Sequence, residues 1–280
     1  MDPFKTQVRA SWDRAAAAWN DSAPLIRSWL ADVTELMLEQ AQLFPGAHVL
    51  DLAAGAGDQT LDVARRVGAH GLVLATDISA PILQFALSNA LAAGLHNVHC
   101  KVADLEDLQL VDQRFDAAIC RLGLMFCTDV HRALMQVRSA LRPGGRFCAV
   151  VFGEPKANLC VTFAMATAMR HAGLSIDASP PPGSLLSLGE PGLLKKMFED
   201  AGFHEVKSLV VSADFCVPTT QDYVRFIRSA ASPIQLALAA LDAQAQQQAW
   251  ADIADQLEVF QQSSVWRGPN ELILCSGVAR

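Results

Sequence analysis

Between residues 48 and 152 the chain alternates short apolar runs with longer stretches in which apolar residues recur at helical spacing. The runs at 49–52, 72–76, 98–103, 115–120 and 146–152 are mostly apolar and read as strands, with Val49, Leu50 and Leu52 suited to a strand buried on both faces. Between them, Leu61, Ala64 and Val67 share one helical face, as do Ile82, Leu83, Ala86, Leu87, Ala90 and Leu91, and then Ala133, Leu134, Val137 and Leu141. Five strands alternating with helices predict an α/β fold, a mostly parallel sheet covered on both faces, with ligands bound at the carboxyl ends of the strands. The turn Arg142-Pro143-Gly144-Gly145 is expected just before the fifth strand.

The flanks are patterned differently. In SWDRAAAAWN, Trp12 and Trp19 lie seven positions apart, so a helix through the alanine run puts both rings on one face. A second helix over 24–43 buries Leu30, Val33, Met37 and Ala41. Beyond Phe152 regularity falls. The stretch Pro180-Pro181-Pro182-Gly183 marks a loop, 191–201 reads as a helix, 205–215 as a strand and 271–278 as the last strand. The stretch 219–264 is helical in character, with Gln244 to Gln248 as a solvated face.

Candidate chemistry begins at the first apolar run, HVLDLAAGAGDQTL, where a strand enters a two-glycine turn and a helix follows. Gly55 and Gly57 allow tight bending and close backbone approach to a ligand, and the helix amino terminus beyond them favours negative ligand groups. Asp77 ends the next strand twenty positions after Gly57, the spacing at which a carboxylate can accept hydrogen bonds from ribose hydroxyls. A dinucleotide-binding dehydrogenase wants a third glycine or alanine where this chain has Thr60. Asp51, Asp104 and Arg121 fall at the same edge. Each acid alone is as readily a strand-end or capping carboxylate, and Arg121 as readily the partner of a structural acid. For Asp51, orienting the turn is as good a reading as touching a ligand.

In sequence, VLDLAAGAGDQTLDVA, ATDISAPILQFA, VADLEDLQLVDQRFDAAICRLGLMFCTD and ALMQVRSALRPGGRF resemble class I S-adenosylmethionine-dependent methyltransferases, nearest the ubiquinone/menaquinone methyltransferase-like group, densely over residues 9–152. The resemblance implies a Rossmann-like doubly wound sheet with an antiparallel last strand. It also implies an N-terminal helical cap over 1–45, a cofactor-binding core over 46–153, and a remainder of the same domain over 154–280. Insertions at 154–189 and 219–267 would shape the acceptor pocket. Ala53, Gly55 and Gly57 would lie against the methionine part of the cofactor, Asp77 would hold the ribose and Ile78 would sit beside the adenine. Asp104 would accept from the adenine amino group, Leu105 would pack on its ring, and Cys120 and Arg121 would border the reacting centre. The family commonly carries a cysteine or serine and a threonine where this chain has Ala54 and Ala56, which removes a hydroxyl contact and leaves the turn possible. Trp12 and Trp19 would cover the sulfonium and offer it aromatic faces, core or interface packing being the plain alternative. Met125 and Phe126 would wall the acceptor pocket.

Composition narrows the partners. With 280 residues, 51% of them hydrophobic, the chain can bury a large core, and it shows no internal repeat. A net charge of -7 gives no basic footprint for nucleic acid, so a small-molecule acceptor is expected. The seven cysteines lack metal-type spacing and sit mostly in expected strands, which suits reduced, buried thiols in the cytoplasm, and no carboxylate cluster suggests a metal. No secretory-type segment and no apolar run long enough to span a bilayer are present, so no integral membrane segment is expected. No residue stands out as a general base. His131 follows the fourth strand's loop and is the weak candidate, with helix capping its commoner fate; His171 and His204 are weaker still. The reading is thus a metal-independent transfer of a methyl group to O, N or C of a small molecule. An NAD(P)-dependent oxidoreductase and a catalytically silent cofactor-binding protein are the alternatives, and the oligomeric state is open.

Overall fold

A computed structural model describes residues 3–110, 114–175, 180–230 and 232–280. Residues 1 and 2 of the expected cap, 176–179 of the first expected insertion and 231 of the second lie outside the described residues. In chain order the elements begin with helices α1 (Pro3–Asp21) and α2 (Ala23–Gln40), then β1 (His48–Leu52), α3 (Asp58–Val67), β2 (Leu72–Asp77), α4 (Ala80–Ala92), β3 (Val98–Val102) and β4 (Phe115–Arg121). There follow α5 (Val130–Ala140), β5 (Leu141–Phe152), α6 (Leu159–His171), α7 (Leu193–Asp200), β6 (His204–Ser212) and β7 (Phe215–Val217). The chain closes with α8 (Thr220–Ala230), α9 (Ser232–Leu238), α10 (Ala243–Leu257), β8 (Trp266–Gly268) and β9 (Glu271–Val278).

Seven strands form one sheet in the order β3-β2-β1-β4-β5-β9-β6. β1 to β5 are parallel, and β9 runs antiparallel between β5 and β6. The middle strands are largely apolar because helices cover both faces; Val49, Leu50, Leu52, Ile119 and Val150 are fully buried. On one side Phe147 stacks on Phe198 at 5.1 Å between centroids, fastening α7 to the sheet. The strand order reverses between β2-β1 and β4-β5, which opens a crevice above the carboxyl ends of β1 and β4.

Several boundaries differ from the sequence expectation for physical reasons. The Arg142-Pro143-Gly144-Gly145 segment does not precede the fifth strand but bulges within it: Leu141 already pairs with Phe115, and pairing resumes with Arg146 opposite Ala117. The expected strand 205–215 is two strands. β6 stops at Ser212, and β7 leaves the main sheet to pair with β8 in a two-stranded sheet. The expected helical stretch 219–264 is three helices, broken at Asp242, whose side chain caps α10 by accepting from the Ala245 amide. The helical insertion expected over 154–189 without inner bounds contains α6, which buries Cys160, Val161, Ala164, Thr167 and Ala168; LCVTFAMATAMRH has few polar positions to mark those bounds.

The glycine turn is fixed by packing as well as by bending. Gly57 has φ +86°, and a Cβ there would stand 3.0 Å from both Cα and Cβ of Ala86 in α4. Gly57→Ala is therefore expected to cost about 1–2 kcal/mol for the left-handed backbone alone, and more from the contact with α4. A urea unfolding curve superimposable on that of the unsubstituted chain would refute this.

Candidate active site

The turn after β1, the ends of β2 and β3 and the loop after β4 converge on the crevice, as their place in the sheet requires. Two carboxylates set its shape, Asp51 fully buried and Asp77 half-buried at the cavity wall. Asp51 Oδ2 accepts from Thr60 Oγ1 at 2.6 Å and Oδ1 from Gln59 Nε2 at 3.1 Å, which tethers β1 to the first turn of α3. Thr60, the residue that departs from the dehydrogenase pattern, is thus a partner of the strand carboxylate. Asp77 Oδ2 accepts from the Gly55 amide and Oδ1 from the Ser79 amide, each at 3.0 Å, so the end of β2 holds the glycine turn.

Burial disfavours both anions. It pushes Asp51 up to about 6 against the hydrogen bonds of Thr60 and Gln59 and the charge of Arg121. It pushes Asp77 up to about 6 against the amides of Ser79, Gly55 and Ile78. An acid whose folded value lies above its ordinary 3.8 binds its proton more tightly folded than unfolded. These two groups therefore favour folding below about pH 4, and that contribution is lost as pH rises through about 6.

Ala53, Gly55, Asp77, Ile78, Asp104, Leu105, Arg121 and Phe126 all border one cavity of about 1040 Å³, together with Trp12 and Trp19 from α1. Gly57 lies in the turn beneath it. Cys120 does not border it: the thiol is fully buried below Gly123, where burial pushes it up to about 12. Its expected place at the reacting centre is therefore corrected. The strand alternation that brings Arg121 to the crevice turns Cys120 into the core. A Cβ on Gly123 would stand 2.3 Å from Ala53 Cβ, so this loop approaches the turn closely only because Gly123 has none. Arg121 pairs with Asp58 at 2.7 Å and donates to Thr34 Oγ1 at 2.7 Å. It thus serves a structural carboxylate while bordering the cavity. His131 stands exposed at the start of α5 and borders neither this cavity nor the next.

A second cavity of about 680 Å³ adjoins the first and shares Trp12, Trp19, Leu122 and Phe126 with it. Met125, Trp29, Phe152, Phe215 and Phe226 line it, so its wall is aromatic, with Tyr223 and Asn270 bringing polar side-chain groups. Trp12 meets Trp19 edge-on at 5.5 Å and Phe126 at 5.8 Å. The wall is drawn from α1, α2, α6, α8, α9, the strands β5 and β7, the loop after β4, and the segments carrying Leu185 and Asn270. Trp29, Tyr223 and Asn270 escape a sequence reading because their partners lie far along the chain.

Helix α1 lies over both cavities and is fastened at each end. Asn89 Nδ2 donates to Asn20 Oδ1 at 2.8 Å and to the Ala56 carbonyl at 3.0 Å, joining α1, α4 and the glycine turn. At the other end Lys5 Nζ reaches Asp104 at 2.7 Å and Glu106 at 2.8 Å. Glu106 also accepts from the Thr128 amide at 2.8 Å, linking α1 to the loop after β4. Burial disfavours the Lys5 ammonium, but its two acidic partners outweigh that and raise its pKa. Sequence patterning gave no sign of Lys5; Glu106 had one, its place two positions after Asp104.

A doubly wound α/β domain with a glycine turn, two acids at neighbouring strand ends and an adjoining apolar chamber defines an enzyme of the nucleotide-cofactor class. The family model for a methyltransferase domain matches residues 43–202. The chain is 32% identical over 163 residues to a 2-phytyl-1,4-naphthoquinone methyltransferase of Trichormus variabilis, covering 56% of this chain and 69% of that one. It is 36% identical over 119 residues to a ubiquinone/menaquinone biosynthesis C-methyltransferase of Hahella chejuensis, covering 42% of this chain and 48% of that one. The crystal structure of the YcgJ protein from Bacillus subtilis superposes with a TM-score of 0.59 at 19% identity, covering 88% of this chain and 97% of that one, a likeness of fold. The chain belongs to the methyltransferase domain family, among the class I S-adenosylmethionine-dependent methyltransferases of the ubiquinone/menaquinone-like group. Its cofactor is S-adenosylmethionine, which sets the nicotinamide reading aside.

Replacing Lys5 by Met is expected to speed amide hydrogen exchange in the first turns of α1 while changing global stability by less than about 1 kcal/mol. Exchange unchanged across residues 5–12 would show that the cap does not depend on this pair.

Proposed function

We propose that the chain transfers the methyl group of S-adenosylmethionine, without a metal ion, to a small and largely apolar acceptor seated in the aromatic chamber. The observation that carries this reading is that the two cavities adjoin and share Trp12, Trp19, Leu122 and Phe126 in their walls, which sets an apolar room beside the crevice and makes these four residues the doorway of this reading. The crevice fits the cofactor in chemistry as well as size. Its turn bends tightly through positive φ at Gly55 and Gly57 with only the small Ala56 between, and two carboxylates with lone pairs to spare, Asp77 and Asp104, stand at the strand ends. In this reading Ala53, Gly55 and Gly57 hold the methionine part and Asp77 holds the ribose. Ile78, Leu105 and Asp104 serve the adenine, and Arg121 stiffens the wall through Asp58.

When bound, the cofactor supplies an electrophilic methyl carbon. The residues around the doorway hold the acceptor in line, exclude water and present aromatic faces to positive charge. Among the described residues lining the chamber there is no carboxylate, imidazole or amine to act as base. The acceptor therefore brings a nucleophile reactive enough to attack without one, such as an electron-rich ring carbon, whose proton leaves to water after the methyl group is attached and the ring regains its aromaticity. The relatives named for quinone methylation support such an acceptor, a ring carrying apolar substituents.

Incubation with S-adenosylmethionine and a panel of apolar, ring-hydroxylated acceptors is expected to yield S-adenosylhomocysteine above the acceptor-free rate. Turnover confined to charged, polar acceptors would overturn the chamber assignment.

Titration with S-adenosylhomocysteine tests the crevice separately. Asp77→Ala is expected to weaken binding by roughly 1–3 kcal/mol, the cost of leaving buried donors unpaired. Because the unliganded acid holds its proton up to about pH 6, binding in the unsubstituted chain should be level at higher pH and weaken as pH falls through that value. Asp77→Asn should flatten the profile, and a profile unaltered by that change would remove Asp77 from the ribose site.

A further inference from the structure

One buried polar atom on the chamber wall has no partner. Asn270 is 3% exposed, and its side-chain Oδ1 meets no hydrogen-bond donor, although the residue borders the apolar chamber. The amide orientation is set by its nitrogen. Nδ2 donates to the Gly268 carbonyl at 3.3 Å and to Cys160 Sγ at 3.2 Å, and the opposite orientation would lose both bonds and set Oδ1 against the Gly268 carbonyl oxygen. Neither Gly268 nor Cys160 borders the chamber, so the amide nitrogen is tied into the wall, and the unpartnered Oδ1, itself covered by the wall, belongs to a residue that borders the cavity.

The neighbouring polar groups are committed elsewhere. The Tyr223 hydroxyl donates to Cys160 Sγ at 3.6 Å, and the Cys160 thiol donates to the Pro269 carbonyl at 3.5 Å. Burial drives the pKa of Tyr223 well above its usual value and pushes Cys160 up to about 11, so this corner of the chamber is neutral at physiological pH. A buried amide oxygen left without a donor costs free energy, and a ligand that supplies the donor recovers it. A neutral corner with one open acceptor selects a neutral O–H or N–H, since an ammonium would arrive without a counter-charge.

We propose that Asn270 Oδ1 is a specificity-determining contact that receives the single hydroxyl or N–H donor of an otherwise apolar acceptor molecule. This rests on the assignment of the chamber to the acceptor. Asn270 fixes how the ring is turned in the room and so which of its atoms faces the doorway at Trp12, Trp19, Leu122 and Phe126. Orientation is the main thing a chamber without a base has to offer the reaction.

The test uses the full chain saturated with S-adenosylhomocysteine and two matched probes, 4-ethylphenol and 4-ethyltoluene, followed by calorimetry. The two differ by a hydroxyl against a methyl of similar size. The unsubstituted chain is expected to bind the phenol about tenfold more tightly, the worth of one net hydrogen bond to a buried acceptor, although the toluene is the more apolar molecule. In Asn270→Leu the preference should vanish or reverse, with S-adenosylhomocysteine binding retained as the sign of an intact fold. Equal or weaker binding of the phenol by the unsubstituted chain would overturn the role of Asn270 while leaving the chamber assignment standing. Binding of neither probe would overturn the chamber assignment and this inference with it. The comparison within the unsubstituted chain decides the matter even if the leucine variant does not fold.

Discussion

At the carboxyl ends of neighbouring strands, Asp51 is fully buried and Asp77 half-buried at the cavity wall, and burial disfavours both anions, so an ionised oxygen there must find a donor. The donors are the Thr60 hydroxyl and Gln59 amide for one, and the Gly55 and Ser79 amides for the other. These bonds tie β1 and β2 to the turn and to the first turn of α3. The ligand cradle is thus held by the same groups that burial makes costly to ionise. Losing either carboxylate would leave buried donors unpaired and release the turn, so the shape of the site and its pH response have one physical origin.

Around that fixed floor the rest of the site is assembled from pieces that do not fold together locally. Helix α1 roofs both cavities through Trp12 and Trp19. Its ends are fastened by polar contacts, Asn20 with Asn89 at one and Lys5 with Asp104 and Glu106 at the other. Glu106 reaches onward to Thr128, which couples the roof to the loop carrying Met125 and Phe126. The aromatic chamber is completed by α2, α6, α8 and α9, with Trp29 Nε1 donating to the Ala213 carbonyl to join α2 to the end of β6. Among the described residues, no helix is long and apolar enough to cross a membrane.

Legibility followed the range of the interactions. The five parallel strands, the glycine turn and the strand-end acids were visible because each is governed by near neighbours: apolar runs, missing Cβ atoms, a fixed distance from turn to acid. Cys120 was misplaced because strand alternation, rather than distance from the motif, decides which of two adjacent residues faces the crevice. The bounds of α6, within the helical insertion expected there, were not legible because its sequence has few polar residues to mark the helical period. The split between β6 and β7 was hidden because both are short extended pieces, and only their pairing partners tell them apart.

By itself the sequence determined the α/β class, the crevice at the strand ends and the kind of ligand that crevice takes. These depend on local spacing and on burial patterns that any folded form of the chain has to respect. The tertiary structure alone decided that Lys5 meets Asp104, that Arg121 is shared between the cavity wall and Asp58, and that Asn270 is left with an open oxygen beside an aromatic room. Each of those joins residues many tens of positions apart. Their meeting depends on how the helices close over the sheet, which no local pattern encodes.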